Sequence, residues 1–161
     1  LSEQGDVDVQ VAMSGVGLRS AQRSLRSLPP CTLVDQGRGT LGARMLRQIH
    51  HARFGRHNKP VIVIGTDLAD LCQNDLLHAI QRLQNQPLVL GPSADGGYWL
   101  LGLAPDLTQR QLDALFTAVP WGSNKVLDIT CARARGLGIT PHQLSMKNDI
   151  DCLADLSSWQ R

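Results

Sequence analysis

The sequence predicts a three-layer α/β/α fold around a mainly parallel sheet, and three observations predict it. Val61-Ile-Val-Ile64 is a short run of branched apolar residues that stops at Gly65. Such a run reads as a strand buried on both faces, as in a parallel sheet covered by helices. Strand-like and helix-like segments alternate along the chain, the pattern of a doubly covered sheet. The chain has 161 residues, 42% hydrophobic and 19% charged, an ordinary globular composition. That length is enough for one core, so residues 1–161 are expected to form a single domain.

The elements follow in order. Val7 to Met13 alternates and reads as a strand; Ser20 to Leu28 reads as a short helix stopped by Pro29-Pro30. Cys31 to Val34 is a second strand, and Gln36-Gly-Arg-Gly39 is a glycine-rich loop. A helix follows from Thr40, with Leu41, Met45, Ile49 and Ala52 sharing one face. After Val61–Ile64, a helix from about Asn74 to Leu83 turns Leu76, Leu77, Ile80 and Leu83 inward. Pro87 to Gly91 and Tyr98 to Leu103 are strands on either side of the Gly96-Gly97 turn. Thr108-Gln-Arg-Gln111 has the form of a capping box that opens a helix to Phe116. Ser123 opens a longer helix, with Val126, Leu127, Cys131 and Ala134 inward, and Gly136-Leu-Gly138 ends it. Ile139 to Leu144 reads as a last strand and Cys152 to Trp159 as a last helix. A sheet of this type usually begins with its own strand and phosphate-binding turn, and the polar opening Leu1 to Asp6 supplies neither.

Composition narrows the function classes. With 16 basic and 14 acidic residues the net charge is +2, too balanced for nucleic-acid binding by bulk electrostatics. The cysteines Cys31, Cys72, Cys131 and Cys152 are scattered without a C-x-x-C pair, which fits free thiols in a reducing cytoplasm. No apolar run approaches the roughly 20 residues of a membrane span, and no signal peptide is visible. Arg38, Arg44, Arg47, Arg53 and Arg56 crowd one stretch. They read either as a solvated helix face or as a source of one or two phosphate contacts.

Four constellations carry chemistry. Gly15-Val-Gly17-Leu-Arg-Ser20, with Asp35 about 20 residues on, is a weak dinucleotide-binding pattern. In Gly65-Thr-Asp67-Leu-Ala-Asp70 a carboxylate follows a strand directly, where open α/β sheets bind ligands. Magnesium is commonly held by one or two carboxylates together with phosphate, so Asp67 is a candidate anchor. Asp70 helps through water or caps the next turn. In Asp95-Gly96-Gly97-Tyr98-Trp99 the glycines let backbone N–H groups approach a ligand. Asp95 could accept from a sugar hydroxyl or activate an acceptor, and the aromatics either stack on a ring or fill the core. Asn148-Asp149-Ile-Asp151 offers a second acidic cluster, with Asp151 either a helix cap or a second metal ligand. The five histidines share no ligand spacing.

Taken together, these motifs resemble a known family. Five blocks agree in order: Gln36-Gly-x-Gly-x-Leu41-Gly42-x-Arg44-Met45, Gly65 to Leu71, Val89 to Leu103, Val119-Pro-Trp121 to Leu127, and Asn148 to Leu156. They are similar to the bacterial DUF2064 family, whose members are also described as glycosyltransferases associated with radical-SAM and selenodomain proteins. That family resembles the GT-A nucleotide-diphospho-sugar transferases, with guanylyltransferases among its relatives. The resemblance implies a Rossmann-like GT-A fold and a cytoplasmic transferase dependent on Mg²⁺ or Mn²⁺. Asp67 and Asp151 would be metal ligands, and Asp67 and Asp95 catalytic. Arg44, Gly96, Gly97, Tyr98 and Trp121 would bind substrate. The donor would be a nucleotide sugar, or a nucleoside triphosphate if the reaction is nucleotidyl transfer, and the acceptor a small molecule. No nucleic-acid or membrane partner is implied, and a homodimer is compatible. The family opens with a strand and a Pro-Gly-x-x-Lys-Thr-Arg loop, neither of which has a counterpart here. The expected sheet therefore lacks its first strand and phosphate loop, and a non-catalytic binding module is the alternative.

Overall fold

The structure is a computed structural model that describes residues 7–15, 29–54, 59–68 and 70–148. The helices expected at Ser20–Leu28 and Cys152–Trp159 lie outside the described residues, as does Asp151.

Among the described residues, ten elements run in the order β1 (Gln10–Met13), β2 (Thr32–Asp35), α1 (Leu41–Arg53), β3 (Val61–Ile64), α2 (Gln73–Arg82), β4 (Leu88–Pro92), β5 (Tyr98–Leu103), α3 (Gln109–Phe116), α4 (Val126–Gly136) and β6 (His142–Gln143). Local chemistry starts the helices. The Thr40 hydroxyl accepts from Ala43 N–H at the head of α1, and Thr108 with Gln111 forms the expected capping box of α3. Arg53 closes α1, where a cation suits the helix dipole.

β1 and β2 pair in parallel. The remaining strands form one sheet in the order β3-β5-β4-β6. β5 runs antiparallel to both neighbours, and β4 is parallel to β6. Three of these four strands therefore share one direction, and only β5 is reversed. The reversal follows from the short turn between Pro92 and Tyr98, which leaves no room for a parallel crossover.

Strand alternation divides the core. Leu88, Leu90, Leu101 and Leu103 meet Ile49 of α1, Leu112, Leu115 and Phe116 of α3, and Cys131 and Ala134 of α4. Val89 and Leu100 meet Ala79 and Leu83, at and just beyond α2. Helices thus cover both faces, giving the three layers expected.

Several local expectations shift. Val61–Ile64 is only partly buried and Ile64 is 39% exposed. β3 ends its sheet, so one strand edge has no partner among the described residues. Leu41 and Leu77 are exposed rather than inward, while Ala79 and Thr130 are buried. The helix expected from Ser123 begins at Val126, after turns over 121–125, and the strand expected over Ile139–Leu144 pairs only at His142–Gln143. Cys31, Cys72 and Cys131 are free thiols. Among the described residues, no helix is long and apolar enough to cross a membrane.

Candidate active site

The register places the acidic loops at one end of the sheet. Ile64 pairs with Leu100 at the start of β5, and Gly91 pairs with Leu100 at the end of β4. The carboxyl ends of β3 and β4 therefore flank the same end of β5, and the loops after them are neighbours.

Asp67 lies in the loop after β3. Gly65 N–H donates to Trp99 O at 3.0 Å, tying the loop's start to β5. The Asp67 carboxylate is exposed, and its Oδ1 accepts from the Thr66 hydroxyl at 3.1 Å. It is thus held at a strand end and open to solvent, as a ligand anchor requires. Asp70 does not cap the next helix, which Cys72 begins; it is paired instead. Its Oδ2 lies 3.5 Å from Lys147 Nζ, and its backbone carbonyl accepts from the same ammonium. Asp75 organises the start of α2 instead, accepting from Cys72 N–H at 2.9 Å.

Asp95 holds the β4–β5 turn. Its Oδ1 accepts from the Ser93 hydroxyl at 2.5 Å and from Gly97 N–H at 2.8 Å. Oδ2 takes part in neither bond, so the side chain shapes the turn while remaining exposed. Gly96 has φ +87°, and a Cβ there would lie 2.7 Å from Asn124 Cα and closer still to its carbonyl. Only glycine accepts both constraints. Gly96 O in turn accepts from Leu127 N–H in the first turn of α4.

The aromatic residues form a wall beside this turn. Tyr98 meets Trp121 edge-on, with ring centroids 6.3 Å apart, and Trp121 lies 5.8 Å from Phe116. Trp121 also rests on α1, where its indole fills the space that a Cβ at Gly42 would need. Burial raises the Tyr98 hydroxyl above its ordinary value, so the phenol stays protonated and is no base near neutrality. Trp99 is 3% exposed and belongs to the core.

Two residues beyond Gly42 on α1, Arg44 donates to Gln36 Oε1 at 2.8 Å and to Ser14 Oγ at 3.3 Å. Both partners follow the carboxyl ends of their strands. The buried Nε of Arg44 has no hydrogen-bond partner. The other arginines divide by role. Arg47 donates to the carbonyls of Gln36 and Arg38 and braces the glycine loop. Arg53 donates to the carbonyls of Leu107 and Ala104. Arg44 thus lies at the carboxyl ends of β1 and β2, and Arg56 lies outside the described residues. Asp35, the acid of the dinucleotide pattern, accepts from Gly37 N–H at 2.7 Å within its own loop. Of that pattern's glycines, Gly15 is described with φ +75°, and Gly17 lies outside the described residues.

The structure thus brings Arg44, Asp67, Asp95, Gly96, Gly97, Tyr98 and Trp121 to one end of the molecule. Among the described residues, no three His, Cys, Asp or Glu side chains group as a metal cage. An open cavity of about 650 Å³ lined by Val7, Val9, Pro30 and Thr32 lies at the opposite ends of β1 and β2.

Lys147 carries no motif of its own, and nothing in the sequence marks it. Its side chain is 11% exposed and contacts Asp75 Oδ2 at 3.0 Å as well as Asp70. The ammonium also sits 5.6 Å from the Trp99 ring centroid. Burial alone would lower its pKa, but the Asp75 hydrogen bond and the two carboxylates outweigh that and raise it.

A solved structure shares this fold. A crystal structure from Desulfovibrio desulfuricans G20, provisionally described as a nucleotide-diphospho-sugar transferase, is similar with a TM-score of 0.85 and 26% identity. The match covers 96% of this chain and 65% of that one, so this chain spans just under two thirds of that structure's length. The fold is accordingly Rossmann-like α/β, of the kind seen in that structure. No curated protein matches the sequence. The sequence profile of DUF2064, described as an uncharacterized protein conserved in bacteria, matches residues 1–123. With most of the chain so matched, and with the glycine loop, the Asp67 loop and the Asp95 turn inside that span, the chain belongs to the DUF2064 family.

Proposed function

We propose that this chain acts in a Mg²⁺-dependent transferase that uses a nucleotide-activated sugar. The observation that carries this reading is the exposed Asp67 carboxylate, held at the carboxyl end of β3 beside the glycine turn at the end of β4. The likeness to the transferase structure supports the same reading.

The donor set suits a hard cation. Magnesium usually takes one or two protein carboxylates and completes its shell with water and substrate phosphate. Asp67 would hold it, with Asp151 as the second carboxylate. When bound, the metal would neutralise the departing diphosphate. Arg44 would pair with phosphate, because a guanidinium matches phosphate oxygens in geometry and charge. The turn at Gly96 and Gly97 would present its backbone to the sugar, and Tyr98 and Trp121 would close one side of the pocket. Asp95 would accept a hydrogen bond from an acceptor hydroxyl through Oδ2 and orient its oxygen for attack.

The test is thermal unfolding with nucleotide sugars, nucleoside triphosphates and NAD(P), each with and without Mg²⁺. A nucleotide sugar at 100 times its Kd should stabilise the protein by about 2.7 kcal/mol, and only with Mg²⁺. Asp67→Asn should remove that response; if the response survives, the metal assignment is wrong. Stabilisation by triphosphates alone would favour nucleotidyl transfer. Stabilisation by NAD(P) alone, without metal, would sink the transferase reading, and no response to any nucleotide would leave a binding module.

A further inference from the structure

Two loops of the candidate site and the head of α2 meet at one residue, Lys147. Its backbone is joined to the β4–β5 turn: Lys147 N–H donates to Pro92 O at 3.0 Å, and Ala94 N–H donates to Lys147 O at 3.1 Å. Its side chain holds the loop after β3 through Asp70 and the head of α2 through Asp75. The same residue directly precedes Asn148 and the acidic segment beyond it.

The electrostatics make this a firm tie. Both carboxylates are partly buried, with side-chain exposures of 30% for Asp70 and 21% for Asp75. They share one ammonium that is itself nearly covered. Asp70 Oδ1 is buried without a hydrogen-bond partner, so this carboxylate depends on Lys147 for its compensation. Removing the ammonium would leave two like charges in a half-dry site, a state that favours release of the segment held through Asp70. That segment is the loop between Gly65, pinned to Trp99 O, and Asp70, and it carries Asp67.

We propose that Lys147 is a positioning residue: it latches the Asp67 loop to the Asp95 turn and sets the spacing between the metal carboxylate and the acceptor pocket. The metal part rests on the function proposed above. The latch itself does not. Lys147 touches no reacting group; it acts through Asp70 on the loop that bears Asp67.

The experiment compares the full chain with Lys147→Met, Lys147→Arg and Asp70→Asn. Backbone ¹⁵N relaxation reads the latch without any ligand. In the wild type, Asp67 and Leu71 should have order parameters near about 0.85, and in Lys147→Met these should fall toward about 0.6. The amides of α3 and α4 should be unchanged, Lys147→Arg should restore the loop, and Asp70→Asn should loosen it. An unchanged loop in Lys147→Met and Asp70→Asn, or loss of order spread over the whole molecule, would overturn the latch. Mn²⁺ titration then reads the positioning. Its Kd should rise about 10- to 100-fold in Lys147→Met and recover in Lys147→Arg, as when an outer partner of a metal ligand is removed. A loosened loop with unchanged Mn²⁺ affinity would overturn the positioning role. A wild-type protein that binds no Mn²⁺ would instead overturn the metal reading of Asp67, with the order parameters still deciding the latch.

Discussion

Replacing Gly96 with alanine tests whether the turn at the candidate site is set by contact with Asn124. Two separate costs apply. At φ +87° an alanine sits in the left-handed region, which costs about 1–2 kcal/mol. Its Cβ would also lie 2.7 Å from Asn124 Cα, so the turn or the segment before α4 must move. Overpacking of this kind typically costs about 1–3 kcal/mol. The expected loss for Gly96→Ala is thus about 2–5 kcal/mol, from those two ranges together. Gly122 provides the control. Its φ is +83° and nothing lies within 4 Å of a Cβ there, so Gly122→Ala should show the backbone cost alone. Urea unfolding reads both variants. With a slope of about 2 kcal/mol/M, Gly96→Ala should lower the midpoint by about 1–2.5 M and Gly122→Ala by at most about 1 M. Equal losses for the two variants would refute the argument, because the contact with Asn124 would then contribute nothing.

Three further outcomes follow from the same geometry. Leu103 is fully buried between both neighbouring strands, so Leu103→Ala should cost about 2–5 kcal/mol in urea unfolding, with the fold retained by circular dichroism. The Lys147 cluster makes stability depend on pH at both extremes. For Asp75, burial opposes but the Cys72 N–H and Lys147 bonds prevail and hold the carboxyl below its ordinary 3.8, so its contribution is full above that value and lost as pH falls below it. Lys147 is held above its ordinary 10.5, so its contribution is full below that value and lost as pH rises through the folded pKa. The difference in Tm between wild type and Lys147→Met should accordingly stay flat between about pH 5 and 9 and shrink below about pH 4; a difference that grows with acid would contradict the ion pairs. His142 is lowered by burial and by the charges of Arg82 and His78, so acid should destabilise the protein as pH falls through about 6.5, an effect His142→Gln should reduce in a Tm–pH series.

The legible parts of the fold were those governed by local chemistry. Val61–Ile64 and Tyr98–Leu103 form strands with the bounds their apolar runs suggest, and Thr108–Gln111 caps α3 as its pattern requires. A β-branched run ended by glycine, or a hydroxyl three residues before a glutamine, carries its structural preference within a few bonds. Where neighbours decide, the sequence pattern was silent or misleading. Leu41 and Leu77 fit an apolar helical stripe yet are exposed, because no element among the described residues packs over them. The segment Ile139–Leu144 has strand composition, but its strand is only His142–Gln143, with one more bond from Leu144 N–H to Leu90 O of β4.

The candidate site divides in the same way. The glycine and carboxylate motifs pointed to Asp67, Asp95, Gly96 and Gly97 because tight turns and exposed strand ends need those residue types. The aromatic and arginine positions were visible as residues but ambiguous in role. Packing decided them: Trp121 against Gly42, Trp99 into the core, Arg47 and Arg53 onto carbonyls, and Arg44 toward the strand ends.

The sequence by itself determined the alternation of strands and helices, the helix caps and the acidic loop after β3, since each depends on short-range propensity and hydrogen bonding. The tertiary structure alone decided that β5 is inserted between β3 and β4 in the sheet, and that Lys147 binds Asp70, 77 residues away in the chain. Those outcomes depend on which surfaces meet. An ammonium among neighbouring carboxylates is strong only where burial removes competing water, and that burial is a property of the folded chain.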